Sequence, residues 1–155
     1  MKNIENLVFK GGGVKGIAYA GAYKALEEKG LTENIKRVGG TSAGAIISFL
    51  IAIGCGSTEI THILNELKFK KLETGLNPLR LFTKYGLFSG DWFYNWLKER
   101  LKDNRLDENI TFKGLNSLTK NDKKFKDLYV FAVSLNRENV VGFSIDRTPD
   151  VKIVD

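Results

Sequence analysis

Two short stretches of this chain combine residue types that can do chemistry. The first is Gly40-Thr41-Ser42-Ala43-Gly44, a serine held between glycines in a G-x-S-x-G spacing. Glycine on both sides removes the side chains that would collide in a tight bend, and such a bend lifts the serine hydroxyl clear of the backbone. Standing at the start of an apolar helix, that hydroxyl meets unpaired amides and a positive dipole end, which favour an incipient alkoxide. The competing reading is structural: Ser42 as an ordinary helix N-cap beside two turn glycines. The second stretch is Gly11-Gly12-Gly13-Val14-Lys15-Gly16. Consecutive glycines let the chain turn sharply and leave several N–H groups facing open space, an anion site if a helix follows. Alone it is a weak signal, since composition predicts about 0.17 chance matches to G-x-G-x-x-G in such a chain.

The two turns explain each other. Acyl transfer needs a nucleophile and, next to it, donors for the charge that collects on the carbonyl oxygen of the tetrahedral intermediate. That requires both turns at one edge of one sheet, which is where open α/β folds bind their ligands. The flanking elements supply such an edge. Residues 6–10 form an apolar run that stops at Gly11, and 16–29 read as a helix with Ala18, Ala22, Ala25 and Leu26 at three- and four-residue steps. Residues 35–38 form a second short strand ending at Gly39-Gly40, and 43–53 a helix so apolar that it must be buried on most sides. Strand, helix, strand, helix in this order predicts a parallel sheet with right-handed crossovers. With both strands as neighbours, the amides of Gly12 and Gly13 face the space above Ser42.

Further along, Ser57 or Thr58 can cap a helix whose buried stripe is Ile60, Ile63, Leu64 and Leu67. Asp91 can cap a helix over 92–102, and Thr111 one over 112–118. Residues 128–135 are the strongest strand of the chain, with 136–139 as a turn and 140–145 as an antiparallel partner.

Rival assignments for the first turn fail on particular residues. A dinucleotide fold needs an acidic residue at the end of the second strand to hold the ribose, and this strand ends Val38-Gly39-Gly40. A P-loop needs Gly-Lys-Ser/Thr after the glycines, which is absent. A Ser-His-Asp triad finds no support either. The single histidine, His62, lies off the apolar stripe of its helix and too soon after the serine. A carboxylate acting directly as base is the simple option that remains.

Composition sets the outer bounds. With 155 residues, 43% hydrophobic and 27% charged, the chain has room for one domain, residues 1–155, with a real core. No apolar run approaches the length needed to span a bilayer. Lys2 and Glu5 leave no space for a cleavable signal, and the lone Cys55 cannot form an internal disulfide, so the expected location is cytoplasmic. The net charge of +6 suits an anionic membrane surface, nucleic acid or simple solvation. No nucleic-acid motif accompanies it. Residues 68–102 mix basic residues with Phe69, Phe82, Tyr85, Phe88, Trp92, Phe93, Tyr94 and Trp96. That stretch reads either as core packing or as a rim for acyl chains with peripheral contact to lipid headgroups.

Gly-Gly-Gly-x-Lys-Gly at 11–16 followed by Gly-Thr-Ser-Ala-Gly at 40–44 resembles the patatin-like phospholipase family. The resemblance continues through Gly86-Leu87-Phe88-Ser89-Gly90-Asp91, Thr111-Phe112 and Ala132-Val133-Ser134. It implies a three-layer α/β fold with a mostly parallel central sheet, and a serine lipid acyl hydrolase with a Ser-Asp dyad, no cofactor, no metal and no histidine. On that resemblance Ser42 is the nucleophile, Gly11, Gly12 and Gly13 are the oxyanion glycines, and Lys15 fills a position usually Arg or Lys. Gly16, Gly40, Thr41, Ala43 and Gly44 complete the motifs. The family's aspartate lies in an Asp-Gly-Gly or Asp-Gly-Ala motif, and this sequence has no Asp-Gly. Asp146 and Asp150 flank a turn around Pro149, and Asp155 is the last residue. The expectation is an N-terminal portion of the domain, incomplete at the C-terminus, whose aspartate comes from beyond Asp155 or from a partner chain. The alternative is an inactive lipid- or anion-binding remnant.

Overall fold

The computed structural model describes residues 4–66 and 90–155. Leu67, the aromatic residues from Phe69 to Phe88, and residues 86–89 of the downstream motif lie outside them. The sheet has four strands in the order β1 (Asn6–Phe9), β2 (Arg37–Gly40), β3 (Asp127–Ser134), β4 (Asn139–Phe143). The first three are parallel and β4 is antiparallel to β3, as the order of elements and the 136–139 turn require.

A short 3-10 segment, Gly13–Ile17, follows β1 and leads into α1 (Ala18–Glu28). After β2 come α2 (Ala43–Ala52) and α3 (Ser57–Glu66). Then, past the undescribed stretch, come α4 (Asp91–Asp103) and α5 (Phe112–Thr119). Helix α2 lies across β1, β2 and β3, which is why eight of its ten residues are buried. Register sets the faces of the sheet. Leu7, Val38 and Leu128 share one row, and Phe9, Gly40 and Val130 share the next. Both rows face α2, and Val38 and Leu128 are almost fully buried.

Several local expectations shift once tertiary contacts are made. The second strand starts at Arg37 and runs through both glycines, because pairing with β1 and β3 on either side outweighs their poor strand propensity. A Cβ at Gly39 would sit 3.1 Å from the Tyr129 Cβ, so the missing side chain gives the tyrosine room. Helix α1 buries Ala20 and Tyr23, while Ala18, Ala22 and Ala25 are exposed. A tyrosine ring carries far more apolar area than an alanine methyl, and it decides which face turns inward. Ser57 is the first residue of α3, and its N–H donates to the Glu27 carboxylate of α1 at 3.1 Å. The acceptor at that helix start therefore comes from a neighbouring helix. Asp91 opens α4 after Gly90 at the N-cap. Thr111 does cap α5, accepting from the Gly114 N–H at 3.1 Å.

Candidate active site

The two glycine turns meet at the carboxyl edge of the sheet, where Phe9, Gly40 and Val130 stand in register. Direct bonds join them. The Gly11 N–H donates to Thr41 Oγ1 at 3.1 Å, and the Thr41 N–H reaches the Phe9 carbonyl at 3.4 Å. Gly16 lies against the start of α2 so closely that a Cβ there would be 2.8 Å from the Ala43 Cβ. Tyr19 braces the same turn from below, donating to the Lys10 carbonyl at 2.7 Å with its ring edge-on to Phe9.

Ser42 occupies φ 51°, ψ −126°, a left-handed conformation that costs a non-glycine residue about 1–3 kcal/mol. It is held there by what surrounds it. A Cβ at Gly40 would run into the Gly44 carbonyl, and a Cβ at Gly44 into the Phe9 carbonyl, so helix α2 can approach the strand ends only with glycine on both sides. The Ser42 hydroxyl makes no capping hydrogen bond to α2, which removes the ordinary N-cap reading. It stands exposed at the start of a ten-residue helix whose first amides have no side-chain acceptor. On the opposite side of the bend, the amides of Gly12 and Gly13 donate to no acceptor among the described residues, whereas that of Gly11 is already engaged by Thr41. Lys15 is exposed on the 3-10 segment, its own N–H bonded to the Gly12 carbonyl at 3.2 Å.

Ser42 and Gly13 form part of the wall of a 530 Å³ pocket that is otherwise apolar, with Ile46 and Phe49 from α2, Phe93 and Leu97 from α4, and Leu128 and Val130 from β3. Ile46 and Phe49 follow Ser42 on the same helix, whereas the walls from α4 and β3 come from distant stretches of chain that no local spacing announced. The one partial signal was the aromatic-rich stretch that runs through Trp92, Phe93 and Trp96 on α4. There Trp96, Leu97 and Leu101 enter the core, while Phe93 and Leu97 line the pocket.

Among the described residues, Cys55, His62 and Asp146 are engaged away from Ser42. The Cys55 thiol is buried, and burial followed by the Glu59 charge pushes its pKa up to about 12, so it stays protonated. The His62 side chain is 73% exposed, pairs with Glu66 at 3.5 Å and does not line the pocket. Asp146 accepts a 2.7 Å hydrogen bond from the Tyr129 hydroxyl. Tyr129 is in register with Gly39 and Val8, on the sheet face opposite α2 and the pocket. Burial, and after it that hydrogen bond, raises the Tyr129 phenol to about 12 and keeps it a donor. Asp146, Asp150 and Asp155 make no hydrogen bond to Ser42.

The chain is similar to known viral and bacterial proteins. A probable lipid hydrolase, 463L, of Invertebrate iridescent virus 6 is 30% identical over 99% of this chain and 51% of its own length. The uncharacterised protein YqhO of Bacillus subtilis is 45% identical over 61% of this chain and 35% of its own. The chain thus spans about half, or less, of the curated relatives it matches. The crystal structure of VipD from Legionella pneumophila superposes with a TM-score of 0.77 at 20% identity, covering 99% of this chain and 41% of that one, and shares its fold. The family model described as patatin-like phospholipase matches residues 7–155, and with the serine bend and glycine turn placed side by side, the chain belongs to that family.

Proposed function

We propose that this chain carries the nucleophile, the oxyanion donors and part of the acyl pocket of a serine lipid acyl hydrolase acting on phospholipid or related acyl esters. The observation that carries this reading is the strained, exposed Ser42 at the wall of an apolar pocket beside the glycine turn. The Ser42 Oγ attacks the ester carbonyl carbon while its proton passes to a carboxylate base. The resulting oxyanion accepts from the amides of Gly12 and Gly13, with Gly11 holding Thr41 and so the spacing between the turns. Collapse expels the alcohol and leaves acyl-Ser42, which water hydrolyses through the same base. The acyl chain lies against Phe49, Phe93 and Leu97. Loss of one such oxyanion donor typically lowers a rate by about 10²–10³.

The base is an aspartate outside residues 1–155, on a continuation of the chain or on a partner, completing a Ser-Asp dyad. Two features support this. Asp146 is engaged on the other face of the sheet, and the relatives extend well beyond the matched half. The test compares the 155-residue chain with one continued through its native downstream sequence, each with its Ser42→Ala variant. The readouts are p-nitrophenyl butyrate turnover and labelling by a fluorophosphonate. Turnover is expected only in the longer form and should vanish with Ser42→Ala, as should the label. Turnover by the short form would return the base to Asp146, Asp150 or Asp155. Silence in both forms would favour the lipid-binding remnant.

A further inference from the structure

The 3-10 segment Gly13–Ile17 has an outward side that the acyl-transfer reading does not use. In a 3-10 turn, side chains three residues apart eclipse, so Val14 and Ile17 project together. They are 57% and 45% exposed, a costly arrangement for two aliphatic side chains beside a water-filled surface. Val14 also lines the 530 Å³ pocket, so apolar surface runs without a break from the pocket wall to this outer edge. Across the pocket, Trp92 is exposed at the start of α4, immediately before the pocket residue Phe93. On the side of the two glycine turns the charge is basic, although Asp91 precedes Trp92 on α4. Residues 6–26 contain Lys10, Lys15 and Lys24 and no Asp or Glu, and residues 34–58, which carry the serine bend, contain no acidic residue either.

We propose that this edge rests on an anionic lipid surface, with Val14, Ile17 and Trp92 entering the headgroup layer and Lys10 and Lys15 facing lipid phosphates. The proposal rests on the acyl hydrolase reading and adds to it the direction of substrate entry: an acyl chain leaves the bilayer along Val14 into the pocket without crossing water. Aliphatic side chains and lysines act together in such contacts, each lysine near an anionic surface strengthening binding roughly five-fold at ordinary salt.

Cosedimentation with vesicles tests it, using the Ser42→Ala chain so that no lipid is consumed. One set of vesicles is phosphatidylcholine alone and the other is phosphatidylcholine mixed with phosphatidylglycerol. The chain is expected to partition to the anionic vesicles, to weaken as salt rises, and to lose about tenfold in Ile17→Glu. Ile17→Ser, a milder change, should lose less and guards against misfolding of the charged variant. The control is Val133→Glu, on a more exposed apolar site of the β3–β4 hairpin, which should partition like the parent. Undiminished binding of both Ile17 variants, equal loss in Val133→Glu, or no preference for anionic vesicles would overturn the proposal. Fluorophosphonate labelling of Ser42 in the chain continued through its native downstream sequence needs no lipid surface and reports on the hydrolase reading separately. Partition without labelling would leave docking and remove catalysis, and labelling without partition would do the reverse.

Discussion

Ser42 is asked to do two things that oppose each other. Its backbone at φ 51° favours glycine, and its proposed role requires a hydroxyl. Two substitutions separate these demands. Ser42→Ala keeps the strain and loses only an exposed hydroxyl, so its stability should match that of the parent. Ser42→Gly relieves about 1–3 kcal/mol of strain, against roughly 0.5–1 kcal/mol of added chain entropy in the unfolded state. It should therefore be more stable than Ser42→Ala by about 1 kcal/mol. Urea denaturation of the two variants measures the difference, and a Ser42→Gly chain no more stable than Ser42→Ala would mean that the bend is not strained. The flanking glycines have no such freedom, since a methyl at Gly44 meets the Phe9 carbonyl and would push α2 off the sheet.

Among the elements, the helix starts show how far local spacing reaches. Thr111 and the Gly114 amide are three residues apart, so that cap is written in the local sequence. The start of α3 is secured by Glu27, thirty residues away on α1, and its charge also complements the helix dipole there. Glu27→Ala is expected to lower stability by about 1–2 kcal/mol in chemical denaturation, and Glu27→Gln, which keeps an acceptor but no charge, by less. If both left stability unchanged, the α1–α3 packing alone would be holding the helix start. The same contrast appears in β2, where Gly39 and Gly40 look like strand breakers alone and are drawn into the sheet by a strand on each side.

Taken whole, the described part of the molecule has a sheet covered on one face by α2 and largely open on the other. Along the open face stand Val8, Phe131, Val133 and Val140, with Leu135 in the turn beyond β3. Val8, Val133 and Val140 are 75%, 65% and 66% exposed, more apolar surface than an isolated soluble sheet face usually leaves in water. The 155-residue chain should bind the dye ANS in its native state and self-associate as concentration rises. Replacing Val133 and Val140 with lysine should reduce both, as charges on exposed strands oppose sheet-to-sheet contact. Dye fluorescence and sedimentation velocity read these effects, and a parent chain that neither binds dye nor associates would mean that the face is covered. No helix among the described residues is long and apolar enough to cross a membrane.

The serine bend, the glycine turn and the alternation of strands and helices were legible in the sequence because each depends on near neighbours. Glycines flanking a serine state a steric requirement within five residues, and an apolar run before a glycine states a strand end. Which face of α1 turns inward, what caps α3 and what walls the pocket opposite α2 depended on partners far along the chain, and no local spacing records those. Phe93, Leu97 and Leu128 converge on Ser42 only after the crossovers have stacked α2 and α4 beside β3. The sequence by itself determined that this protein can present a serine beside unpaired amides. The tertiary structure alone decided that the serine faces an apolar pocket and that the Asp146 carboxylate is spent on the far side of the sheet. Register assigns alternate residues to opposite faces, and Tyr129, which holds that carboxylate, falls on the face away from α2.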